Sequence, residues 1–167
     1  MTLPPRWRRF VLVTHIATSV GWLGAVFAYL ALDITAVTTS SAPLARAAYL
    51  TMDVIVWSVI VPLALATVLV GITNALGTKW GLFRHYWVLA KLVLTLFATT
   101  VLLIETATVS RFAELAGSGA DPRELPGTLP HSVGGTVVLL VVLELSVYKP
   151  RGLTRHGWRL QQAATKH

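Results

Sequence analysis

The stretch RWRRFVLVTHIATSVGWLGAVFAYLAL, residues 6–32, is a basic cluster followed by 23 consecutive residues without a formal charge. At about 1.5 Å per residue such a helix is about 35 Å long, enough to cross a hydrocarbon core of roughly 30 Å. It also exceeds the roughly 7–15-residue apolar core of a signal peptide. Residues 10–32 therefore read as a retained first membrane span. Outward from it, further apolar stretches at about 50–73, 86–109 and 132–148 give three more spans.

The polar segments between them carry an asymmetric charge. Arg6, Arg8 and Arg9 precede the first span, Lys79 and Arg84 join the second to the third, and Lys149, Arg151, Arg155, Arg159 and Lys166 follow the fourth. Ten of the 14 basic residues lie in these alternate segments, where no Asp or Glu occurs. The other two segments hold Arg46, Arg111 and Arg123 beside Asp33, Glu114, Asp121 and Glu124. Positive residues gather on the cytoplasmic side of membrane helices. The expectation is an all-α, four-transmembrane-helix up-down bundle in the plasma membrane, with both termini cytoplasmic and residues 149–167 a basic cytoplasmic tail. Trp7, Trp80, Trp87 and Trp158 all fall at the expected cytoplasmic interface, where an amphipathic ring is favoured.

Composition agrees. The chain is 54% hydrophobic and 13% charged, against roughly 25% charged in a soluble domain. The net charge of +7 then serves topology and anionic headgroups rather than nucleic acid. Cysteine is absent, which excludes disulfides, thiolate metal sites and cysteine nucleophiles. No nucleotide loop, nucleophile elbow or zincin motif is present. Ala17, Gly21 and Ala25 form one small-residue face, and Gly134 with Gly135 could form another, for close helix packing or for a homo-oligomer or membrane partner. Pro62 lies inside the second span and should kink it.

Ionisable groups are expensive in hydrocarbon, so each one within a span is a candidate. Counted from the helix ends, His15, Lys91 and Glu144 fall in one layer towards the cytoplasmic side. Asp53, Glu105 and His131 fall towards the other. Helical phase puts Lys91, Thr95, Ala98, Leu102 and Glu105 on one stripe. Asp53, Trp57, Ile60, Ala64 and Gly71 form a second, and His15, Thr18, Ser19 and Trp22 a third. Facing stripes would line a cleft with polar ends. The bland alternatives are a snorkelling Lys91, a Lys91–Glu144 ion pair, solvated carboxylates and a His131 that only caps its helix. A histidine inside a four-helix membrane bundle is also a haem axial ligand in waiting. On that reading His15 binds the iron, Trp22 lines the pocket and Lys91 meets a propionate.

The segments HIATSVGWLGAVFAYLALD, VPLALATVLVGITNALGTKWGLFRHYWVLAKLVLTLFATTVLL and YKPRGLTRHGW resemble a family of small actinobacterial integral membrane proteins of no established activity. More distantly, His15, Gly21, Trp22, Gly24, Pro62, Gly71, Trp87 and Lys91 are similar to positions in the copper-resistance D-type membrane domain. They are similar also to positions in the haem-dependent membrane protoporphyrinogen oxidase family. The second resemblance implies haem b, with roles for His15 and Lys91. The chain departs from that oxidase at ALDITAV and LLIETATV, which lack the arginine and histidines that the family places there. The functional expectations are thus a haem b-binding or redox-associated membrane protein, a small copper- or proton-handling protein, or an accessory subunit of a membrane complex. No catalytic residue is assigned.

Overall fold

The computed structural model describes residues 4–77, 81–150 and 152–164. Lys79, Trp80, Arg151, Lys166 and His167 lie outside the described residues. Among those described, the chain is helical, with α1 (Pro5–Thr38), α2 (Ala42–Leu76), α3 (Tyr86–Gly117), α4 (Leu129–Tyr148) and a short α5 (Arg155–Ala164). The first four are long and apolar enough to cross a membrane. Each packs against its neighbour in sequence, and α4 closes back onto α1. Large apolar side chains cover the outside, Leu69 and Val147 among them, each more than 60% exposed. That is the surface expected where the surrounding solvent is lipid.

The helices run past the expected spans at the end away from the termini. α1 continues to Thr38, α2 begins at Ala42 and α3 ends at Gly117. At 34 residues, α1 is about 51 Å long, well over the hydrocarbon thickness. What the sequence presents as loops are largely extra helical turns, because runs such as AVT and RFAELAG contain no proline to stop them.

This distal end is tied by side chains. The carboxylate of Asp33, fully buried, accepts from the Thr128 N–H (3.0 Å), the Thr128 hydroxyl (2.9 Å) and the Ser132 hydroxyl (2.8 Å). Tyr29 and Thr128 share a further hydroxyl bond of 2.7 Å. Gly127, at φ +69°, makes the turn; a Cβ there would collide with Val37 Cγ1. The Tyr49 hydroxyl donates to the Leu125 carbonyl. In the same loop Asp121 pairs with Arg123, and that guanidinium holds the Asp121 carboxyl down at about 2. At the opposite end, Tyr86 N–H donates to Gly152 and Thr154 N–H to Arg84, so the α2–α3 connection pairs with the start of the tail. Thr154 then caps α5, its hydroxyl accepting from the Gly157 N–H.

Pro62 acts through a π turn. Val56–Ile60 is π-helical, and the Val61 N–H donates to the Val56 carbonyl five residues back. Such a turn takes up one residue more than an α turn. Counting back from buried Ile60, the inner face therefore passes through Val56 and Met52, both about 98% buried. It does not pass through Trp57 and Asp53. The stripe expected from unbroken α periodicity is corrected accordingly: Trp57 is 51% exposed and sits on the outer surface.

Candidate functional site

Two cavities lie between the helices. The larger, about 790 Å³, reaches the end where the chain termini lie. His15, Ser19 and Trp22 of α1 line it, with Thr67 and Gly71 of α2, Trp87, Lys91 and Thr95 of α3, and Val142, Ser146 and Lys149 of α4. Its volume is in the range of about 300–1,000 Å³ typical of small-molecule and cofactor sites.

Local sequence explains why His15 points there. It shares a helical face with Ser19 and Trp22, and the latter is 97% buried and anchors that face in the core. Opposite, Gly71 clears space. A Cβ at Gly71 would stand 2.9 Å from His15 Cε1 and 3.6 Å from Nε2, closer than ordinary van der Waals contact for the first. The imidazole thus occupies the room that glycine leaves. His15 Nδ1 and the Thr67 hydroxyl are buried without a side-chain partner among the described residues, and the Thr67 backbone carbonyl lies beside the imidazole.

The charge is one-sided. Arg8, Arg9, Lys91 and Lys149 line this cavity, and among the described residues no carboxylate does. The Lys91 ammonium lies 5.8 Å from the Trp87 ring centroid, a cation–π contact. Lys149 closes α4 in the left-handed conformation, φ 44°, just before Pro150. Of the expected layer, His15 and Lys91 border the same cavity and Glu144 does not. Glu144 is exposed on the outside of α4, and no Lys91–Glu144 ion pair forms among the described residues. The reason is phase. Val142, Ser146 and Lys149 take the inner face, and Glu144 is two residues, about 200°, from Val142.

The smaller cavity, about 410 Å³, lies on the distal side of Trp22 and Leu139, which line both. Here Glu105 and His131 meet, Oε1 to Nε2 at 3.3 Å, so these two expected partners come together. Asp53 borders neither cavity. It accepts from the Ser110 hydroxyl at 2.7 Å, which in turn accepts from the Trp57 indole at 3.1 Å. Gly134 and Gly135 do not draw helices together. Nothing stands within 4 Å of a Cβ built on either, and both open onto the smaller cavity. Ala17 is exposed, while Gly21 does pack, against Leu63.

The sequence reading missed Asp33. It stands one residue past the expected first span, where a charge reads as part of a loop. Its signal was the phase: Trp22, Val26, Tyr29 and Asp33 recur at three- and four-residue intervals. No group of three or more metal-ligating side chains occurs among the described residues. Comparison with known proteins returned no matching family model, curated protein or solved structure.

Proposed function

We propose that this chain is a multi-pass plasma-membrane protein, an up-down bundle with both termini cytoplasmic, that holds haem b in its larger cavity. The observation that carries this reading is the donor set: one imidazole in a largely apolar cavity rimmed, among the described residues, by four cations and no carboxylate. An apolar ring bearing anionic carboxylates fits that pattern. His15 is the axial ligand in this reading, with Arg8, Arg9, Lys91 and Lys149 facing the propionates. Trp22 and Leu139 form the inner wall and Gly71 keeps the imidazole in place. When bound, the haem supplies one-electron redox chemistry. The protein's own residues bind it, orient it and keep that end of the cavity positive. The resemblance to the haem-dependent oxidase family points the same way.

The test is an absorption spectrum of detergent-purified protein, before and after haem loading, with and without dithionite. A Soret band in the wild type that is lost in His15→Ala is the expected result. A colourless wild type after loading would overturn the proposal.

A second reading, passage of a copper ion or proton, is favoured by one feature: the two cavities meet end to end at Trp22 and Leu139. It requires flux in proteoliposomes that falls in both His15→Ala and Glu105→Gln. Flux that stays at the wild-type level in both variants would remove it.

A further inference from the structure

The smaller cavity has the opposite electrostatic character from the larger one. Its walls are apolar, with Val26, Ile60 and Leu102 among them, and its polar groups are confined to one end. Among the described residues neither Lys nor Arg lines it.

Most of those polar groups are already engaged. The Tyr29 hydroxyl bonds Thr128, and the hydroxyls of Thr128 and Ser132 both donate to Asp33. Glu105 is different. Its Oε1 faces His131 Nε2, and among the described residues Oε2 has no recorded partner. A carboxylate with one free oxygen, in a cavity without Lys or Arg, asks for a hydrogen-bond donor carrying positive charge. Charge-assisted bonds of this kind are about twice as strong as neutral ones.

The remaining walls suit the rest of such a molecule. Trp22 and Tyr29 are buried aromatic rings on the cavity side of α1, and aromatic faces attract cations. Gly134 and Gly135 leave the α4 part of the cavity wall without side chains. Phe97, 59% exposed, forms part of the wall and also reaches the outer surface of the bundle. An apolar ligand partitioned in the bilayer thus meets the cavity from the side, without crossing water.

We infer that the smaller cavity is a binding site for a lipophilic monocation, an apolar aromatic or aliphatic body carrying one positive charge, with Glu105 as its counter-ion. His131 competes with the ligand for that carboxylate. This site is distinct from the proposed haem site, since His15 and Lys91 do not border it, although Trp22 and Leu139 line both cavities.

The probe is ethidium, a flat lipophilic monocation, added to the full chain in a neutral detergent and followed by fluorescence anisotropy. Wild type is expected to give a saturable rise above that of empty micelles. Glu105→Gln should weaken binding by tenfold or more. His131→Ala should bind as tightly as wild type or more tightly, because the whole carboxylate becomes available. Gly135→Leu should abolish binding, since its side chain enters the cavity from a position with nothing within 4 Å of the Cβ. His15→Ala should bind normally, which separates this site from the haem reading. A wild-type signal no larger than micelle partition overturns the inference. So does Glu105→Gln binding at wild-type strength, or undiminished binding in Gly135→Leu.

Discussion

Gly71 and His15 form a matched pair, and the match can be tested by adding one carbon. A methyl at position 71 would lie 2.9 Å from His15 Cε1, so the imidazole must swing away or the helices must part. Overpacking of this kind costs about 1–3 kcal/mol in a well-packed core. Beside a cavity the ring has somewhere to go, so the expected outcome is displacement rather than unfolding. Gly71→Ala should keep its helical circular dichroism and lose the Soret band together with His15→Ala. An unshifted Soret band in Gly71→Ala would show that His15 is not positioned by this contact.

Asp33 makes a different claim, about stability. In Asp33→Ala the hydroxyls of Thr128 and Ser132 keep other partners, Tyr29 and the Leu129 carbonyl respectively. The Thr128 N–H has none recorded besides Asp33. Hydrogen bonds to a charged group are worth about 1.5–3 kcal/mol, and an orphaned buried donor costs about 1–3 kcal/mol. A loss of about 2–4 kcal/mol is therefore expected, read as a fall in the unfolding midpoint in detergent. Asp33→Asn, which retains one acceptor oxygen for that N–H, should lose less. Melting of Asp33→Ala at the wild-type temperature would sink this account of the distal end.

The second helix shows what a single proline does to the reading of a face. Pro62 has no N–H to give, and the π turn before it moves the inner stripe from Asp53 and Trp57 to Met52 and Val56. The chain has no cysteine, so single nitroxide labels can be introduced without background. A label at Val56→Cys should be immobilised, and one at Trp57→Cys should be mobile and accessible to oxygen dissolved in the lipid phase. The reverse order would restore uninterrupted α periodicity.

This helix also marks how far the sequence could be read. The four long apolar helices are legible because sustained hydropathy over a membrane's thickness does not depend on helical phase. Lys91, Thr95, Ala98, Leu102 and Glu105 were placed on a cavity-lining stripe because α3 runs without a break from Tyr86 to Gly117. Asp53 and Trp57 were misplaced because phase does not survive an inserted residue. Glu144 shares no cavity with His15 and Lys91, because a count of depth does not fix helical phase. Asp33 was passed over because the helix outruns the membrane, so a residue beyond the span can still face the core.

Across the whole molecule, charge follows the same division as the cavities. The cavity at the end with the termini is lined by Arg8, Arg9, Lys91 and Lys149, whereas the distal cavity carries Glu105 and His131. Arg84, Arg155 and Arg159 belong to the first of these ends, where the α2–α3 connection and the tail pair. Asp33 and Asp121 belong to the second. A cation near an anionic cytoplasmic leaflet gains about 1 kcal/mol, and placing several on the far side would forfeit that gain. The proposed orientation, termini inside, follows from this difference. Single cysteines at exposed Gly119 and at exposed Gln162 test it with a membrane-impermeant maleimide on intact spheroplasts. Gly119→Cys should label before lysis, and Gln162→Cys only after it. Labelling in the opposite order would invert the protein in the membrane and bring the cationic cavity to the outer face. Neither the helix packing nor the two cavities would change, but haem would then have to arrive from outside the cell.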